Sequence, residues 1–325
     1  MKDSLGRLYR SFLHLVRRHR TGFGYLISAA GLAALGVYLY RNWQALAEAD
    51  LTFNLPLLAA SLLLMVLTGA VPPLLWGRIM RDALQADLGW RVAYRIWFVS
   101  QISRYLPGGV WNYLSRVVQC SRQGIPAGRT TLSLYLEIVL ILVAQIGAFL
   151  LTLPFWPQRV TNLYWLLLVI PVGLAAVHPA VLRPVLGWLA QVRGQREPVP
   201  LRLTTGWLLA TLAGYLGAAL VGGTAFYLLV RSIYPIRSAL LPVLAGMVNV
   251  SATVGFLVLI APSGLGVREG VLAFLLSLYL PAPVAVAIAL ASRVWLAAAE
   301  LLGLATALML RPETRPEADP DQHAV

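Results

Sequence analysis

The chain has 325 residues, 59% of them hydrophobic and 12% charged, with a mean hydropathy of +0.73. Soluble domains carry about 25% charged residues, so an ordinary cytosolic enzyme is excluded. The net charge of +13 does not point to nucleic acid either, because the basic residues are scattered between apolar stretches and form no single stripe.

In chain order, residues 1–21 form a basic segment, followed by full-length apolar stretches at 22–40, 55–76, 130–153, 161–178, 205–230, 239–260 and 284–310. Each is close to the roughly 20 residues that a helix needs to cross the hydrocarbon core. The expected fold is therefore an all-α, polytopic transmembrane bundle over 22–310, with a polar tail at 311–325. The first stretch follows basic residues and precedes Ala47-Glu48-Ala49, the outline of a secretory signal. It is long for a signal and reads as an uncleaved first span. Trp43, Trp156 and Trp188 stand near span ends and read as interfacial anchors.

Two further stretches, 96–119 and 261–280, are apolar overall but carry Pro, Gly and Arg near their middles. They look alike: Leu106-Pro107-Gly108-Gly109-Val110 beside Ala261-Pro262-Ser263-Gly264-Leu265-Gly266-Val267. Paired interruptions of this kind mark repeat architectures with a site at the membrane midplane, and an internal repeat is one reading of the pair. Basic residues set the orientation. Seventeen lie before the first span and in segments 77–95, 116–129 and 179–204, against four (Arg41, Arg159, Arg231, Arg237) in the alternate segments. The N-terminus is thus expected in the cytoplasm. Both flanks of 96–119 fall on the Arg-rich side, so this segment should be a re-entrant hairpin turning at Pro107-Gly108-Gly109. The tail, with Arg311 and Arg315 among four acids, leaves the side of the C-terminus open.

Lipid cannot hydrogen-bond a broken backbone, so each break implies burial in protein or a watery cavity. Helices restarting after Gly109 and Gly266 would turn N–H groups and a positive dipole end towards that cavity, which suits an anion. Arg104, Arg116 and Arg268 lie close by in sequence. A charge near the bilayer centre costs about 2.5 to 3.5 kcal/mol on insertion scales, which makes Glu137, Glu269, Arg293 and Glu300 candidates as well. Arg293 and Glu300 are two turns apart on one helix face; Arg268 and Glu269, being adjacent, cannot share a direction. The plainer alternatives are that Arg104 and Arg116 snorkel to headgroups, that Glu137, Arg293 and Glu300 form ion pairs between helices, and that Asn249, Ser251 and Thr253 pack helices together.

Catalysis finds little support. Ser263 beside Gly264 has no histidine in the neighbouring spans, and neither a phosphate-cradling loop nor a dinucleotide fingerprint is present. Cys120, the single cysteine, allows no intrachain disulfide, and His14, His19, His178 and His323 are too dispersed for metal-ligand spacing. No cofactor or metal is expected.

The segments Arg104-Tyr105-Leu106-Pro107-Gly108-Gly109-Val110-Trp111 and Ala261-Pro262-Ser263-Gly264-Leu265-Gly266-Val267-Arg268-Glu269-Gly270 resemble the transmembrane-region family of lysylphosphatidylglycerol synthases. That family includes the flippase half of aminoacyl-phosphatidylglycerol synthase/flippase proteins. The resemblance extends over roughly residues 20–310, and its more specific motif is Pro-x-Gly-x-Gly-Val-Arg-Glu. It marks Pro107, Gly108, Gly109, Glu137, Gly264, Gly266, Arg268, Glu269 and Arg293; Ser263 stands where the family commonly has Gly. With no acyltransferase-like soluble domain after the spans, lysyl transfer is not expected of this chain. The resemblance implies binding or translocation of an anionic lipid or a polyprenyl-phosphate carrier at the inner membrane. The alternative is a non-catalytic partner of a glycosyltransferase or other lipid-modifying enzyme. In the leading reading Arg268 and Arg293 contact phosphate, Arg104 and Arg116 guide the headgroup in from the cytoplasmic side, and Glu137, Glu269 and Glu300 hold the arginines or sense a cationic headgroup.

Overall fold

The computed structural model describes residues 29–105, 110–156, 166–192, 201–258 and 264–310, and every described element is a helix. Helix α1 covers residues 29–41 and leads into the short α2 (Trp43–Ala47). Then α3 (Leu55–Gly69), α4 (Val71–Arg78) and a π-helical turn (Ile79–Ala83) run on as one span. Asn54 starts that span by accepting the Leu57 N–H at 3.1 Å, the usual role of Asn at a helix N-cap. The remaining helices are α5 (Trp90–Ile102), α6 (Trp111–Ser121), α7 (Ala127–Thr152), α8 (Val169–Val177), α9 (Pro179–Val192), α10 (Thr205–Ile233), α11 (Leu241–Leu257), α12 (Val267–Leu276) and α13 (Ala282–Met309).

Among the described residues five helical stretches are long and apolar enough to cross a membrane: Leu55–Ala83, Ala127–Phe155, Thr205–Ile233, Ser238–Leu257 and Ala282–Met309. A sixth crossing would be the pair Leu166–Val177 and Pro179–Trp188, bent by 50°. The protein is a multi-pass membrane protein of all-α class. The stretch expected at 161–178 is not a straight span with a loop after it, because α9 occupies much of 179–204 and places Arg183 on a helix. The bend follows from Pro179: the preceding residue, His178, is driven out of the helical region to ψ 137°. The turning point expected at Pro107-Gly108-Gly109 lies outside the described residues. The helices on either side of it, α5 and α6, pack against each other.

The two larger buried clusters are stacked along the long helices. The first joins Trp76 to Leu88 with Leu132, Leu136 and Leu140 of α7 and Leu208 and Tyr215 of α10. The second takes Phe149 to Trp156, Phe226 to Val230 of α10, Leu272 and Leu276 of α12, and the first half of α13. Trp156, expected as an interfacial anchor, belongs to this core: it is 5% exposed, its ring lies edge-on to Phe149, and its indole N–H donates to Thr152 at 3.2 Å. Trp43 and Trp188 are 64% and 61% exposed, as an anchor requires.

Side-chain and backbone contacts fix how the ends align. Thr52 and Asn54 N–H groups donate to Ile233 and Ser232 carbonyls, so the start of α3 lies beside the end of α10. At the opposite end Tyr94 meets Thr306 at 3.1 Å, and Gly303 lies so close to Phe98 that a Cβ there would come within 2.2 Å of the ring. Helix α13 therefore finishes at the end of the bundle that carries Arg78, Arg81, Arg91 and Arg95.

Candidate functional site

Between the two larger buried clusters, where α7 and α10 pass from one to the other, the bundle holds a partly open cavity of about 550 Å³. Its α7 wall runs from Glu137 to Gln145 and its α10 wall from Tyr215 to Gly223. The spacing matters: large side chains fill the cores above and below, whereas α10 presents Ala218, Ala219, Gly222 and Gly223 to the cavity, leaving the interior open at mid-height.

Four arginines line it, Arg104, Arg116, Arg268 and Arg293, with two glutamates, Glu137 and Glu300. They arrive from separate parts of the chain. Arg104 lies on the 3-10 turn Ser103–Tyr105 after α5 and pairs with Glu300 of α13 at 2.5 Å. Arg116 of α6 pairs with Glu137 of α7, both almost wholly buried. Its guanidinium also lies 5.1 Å from the Trp76 ring and 5.2 Å from the Trp97 ring, while its Nε donates to Ser100 at 3.1 Å. Trp97 completes the arrangement by donating its indole N–H to Glu137 at 2.8 Å. Arg116 thus neither snorkels nor stands free to guide a ligand in; cation–π contact and a buried carboxylate commit it to the wall.

The second break is built differently. Gly264 and Gly266 have φ of +64° and +82°, left-handed conformations that side chains with a Cβ resist. A Cβ on Gly264 would stand 2.7 Å from the Gly255 carbonyl oxygen, and one on Gly255 would stand 2.9 Å from the Arg268 Cβ. Three glycines therefore let the chain lie directly against α11 and bring Arg268 to the cavity. Glu269, next in sequence, does not line the cavity. One of its oxygens accepts the Gly266 N–H at 2.8 Å, and the other faces Arg293 at 3.8 Å. The N-terminus of α12 is hence partly satisfied by its own Glu269, which narrows the expectation that free N–H groups there turn towards the cavity. No side chain caps α6, whose Val110, Asn112 and Tyr113 line the cavity.

The structure thus brings Arg104, Arg116, Glu137, Gly264, Arg268, Arg293 and Glu300 to one cavity, with Gly266 and Glu269 directly behind it. Pro107, Gly108 and Gly109 lie outside the described residues. All three glutamates engage arginines; among the described residues Arg268 makes no ion pair. Sequence reasoning missed Trp76 and Trp97, since they lie 21 residues apart on two different helices, α4 and α5, and no periodicity links them to Arg116. It also missed Gln101, Gln145 and Tyr215, which line the cavity. Asn249, expected as a packing residue, does pack, donating to the Ala219 and Ala245 carbonyls at 3.1 and 2.8 Å, but it lines the cavity too.

A second, almost wholly apolar groove of about 440 Å³ lies at the other end of α3, bounded by Leu55 and Leu58, Leu229 and Ile233 of α10, and Val294 of α13. Trp295 forms part of the wall of both spaces.

A comparison with curated proteins returns no match. The sequence profile described as the lysylphosphatidylglycerol synthase TM region matches residues 23–299, which include the walls of the cavity up to Ala299. The chain belongs to this family.

Proposed function

We propose that this protein binds an anionic lipid by its headgroup and moves it across the inner membrane, as a translocase or lipid-binding transporter. The observation that carries the reading is Arg268: a guanidinium brought to a membrane-depth cavity by a glycine-built break, next to three arginines that already have carboxylates. A charge at such depth that makes no ion pair among the described residues is costly, and a phosphate offers it charge-assisted hydrogen bonds. Arg293, which lines the cavity 3.8 Å from Glu269, is the second phosphate contact. Arg104, 28% exposed in its side chain, guides the headgroup in, while Arg116 positions Glu137 and the aromatic wall. The acyl chains stay in the bilayer, and the apolar groove across Trp295 gives one of them a path. The family supports a membrane role in lipid handling of the flippase type.

The Arg-rich end of the bundle faces the cytoplasm in this reading, which puts the end of α13 there also, and the segment 96–119 enters and leaves from that face. Reconstitution in proteoliposomes tests the proposal. The native protein should move labelled anionic lipid between leaflets, and the Arg268→Ala and Arg293→Ala proteins should not. Unchanged rates in both variants would defeat the assignment. Absence of transport by the pure protein, together with co-purification of a glycosyltransferase, would establish the accessory role instead.

A further inference from the structure

We infer, building on the anionic-lipid reading, that the cavity takes a phosphodiester whose headgroup is neutral and hydroxylated, a glycerol or a sugar, and discriminates against one bearing an ammonium group. Charge comes first. Among the described residues the four lining arginines are met by three glutamates, Glu137 and Glu300 in the wall and Glu269 behind Arg293, which leaves a single positive charge over. That matches the one negative charge of a phosphodiester. An ammonium would need a carboxylate with capacity to spare, and each of the three carboxylates is already committed. Glu137 accepts from both Arg116 and Trp97, Glu269 accepts from Gly266 and faces Arg293, and Glu300 holds Arg104. The breaks themselves, 106–109 and 259–263, contain no acid in sequence. In a low-dielectric interior the repulsion between an ammonium and the surplus arginine charge is little screened.

Neutral polar groups provide the positive half of the inference. Gln101, Gln145, Tyr215 and Asn249 all line the cavity. Gln101 and Tyr215 are 5% and 3% exposed, and the Gln101 amide oxygen and Tyr215 hydroxyl have no hydrogen-bond partner among the described residues. Buried polar atoms without partners are uncommon and costly; an acceptor and a hydroxyl left so beside a cavity are matched by ligand hydroxyls. Gln145 already accepts from Thr253 at 3.0 Å, which leaves its amide N–H groups to donate. Donors and acceptors together fit a polyol, whereas a hydrocarbon would leave both unsatisfied and a phosphate, which only accepts, would leave the Gln101 amide oxygen without a donor.

The test is competition on the full-length protein in phosphatidylcholine nanodiscs, using short-chain phosphatidylglycerol, a polyprenyl phospho-sugar, lysyl-phosphatidylglycerol and phosphatidylmethanol, a phosphodiester without a hydroxylated headgroup. One of the first two should bind about tenfold more tightly than phosphatidylmethanol, as two or so added hydrogen bonds allow, and more tightly still than the lysyl lipid. Whichever of the two does so identifies the source of the polyol. Tyr215→Phe, which keeps the ring, should bring that ligand down towards phosphatidylmethanol and leave phosphatidylmethanol itself unchanged. Equal binding of phosphatidylmethanol, or tighter binding of the lysyl lipid, overturns the inference while leaving the anionic-lipid reading in place. Failure of every anionic lipid to bind overturns both.

Discussion

The two broken segments solve one problem with opposite signs. After the first, the short helix α6 sends Arg116 to Glu137 on the long helix α7; after the second, the short helix α12 sends Glu269 to Arg293 on the long helix α13. In both, an ion pair ties the returning helix to the span that follows. The first pair is almost wholly buried, and its arginine is clasped between Trp76 and Trp97. The second is looser, at 3.8 Å with the Arg293 side chain 15% exposed, and beside it stands Arg268, which makes no ion pair among the described residues. The contrast teaches that an arginine at membrane depth serves as structure once its charge and both faces are occupied, and is available to a ligand when they are not.

The largest effect should come from breaking the clasped pair. Arg116→Ala leaves Glu137 buried without its cation, a loss of about 3 to 5 kcal/mol, measurable as a fall in the thermal unfolding midpoint in detergent. The double change Arg116→Met with Glu137→Leu should recover most of it. No recovery would mean that the pair does more than hold helices. Next, Arg268→Ala should leave unfolding almost unchanged and cost about 1.5 to 3 kcal/mol of anionic-lipid affinity, the range of a hydrogen bond to a charged group, read by competition binding. An Arg268→Ala protein that unfolds as early as Arg116→Ala would erase the distinction between the two breaks.

Gly255→Ala sharpens the second side of the comparison. The new methyl meets the Arg268 Cβ at 2.9 Å, an overpacking worth about 1 to 3 kcal/mol, and it should shift Arg268 enough to weaken lipid binding along with stability. Gly36→Ala, with nothing within 4 Å of the added carbon, is the control and should do neither. The smallest change is expected at Glu300→Gln, which loosens a pair that is 28% and 20% exposed. It should cost about 1 kcal/mol or less and show itself mainly as a changed salt dependence of lipid uptake.

Much of this was legible along the chain. Apolar stretches of membrane length announce spans because the bilayer core imposes one length on every crossing helix. The breaks at 96–119 and 261–280 stand out because Pro, Gly and Arg are costly there. Composition and hydropathy therefore determined that this is an all-α membrane protein, and the glycine and arginine positions determined where to look for its site. They could not determine which arginine is structural. Arg116 and Arg268 follow their breaks in much the same way, and only the folded bundle places two tryptophans and a glutamate around one and a run of glycines behind the other. That decision belongs to tertiary structure because burial and pairing depend on residues of α4, α5, α7 and α11 far away in sequence. The bend at His178-Pro179, the burial of Trp156, and the neutral wall of Gln101, Gln145, Tyr215 and Asn249 were hidden for the same reason: each rests on a neighbour that only packing supplies.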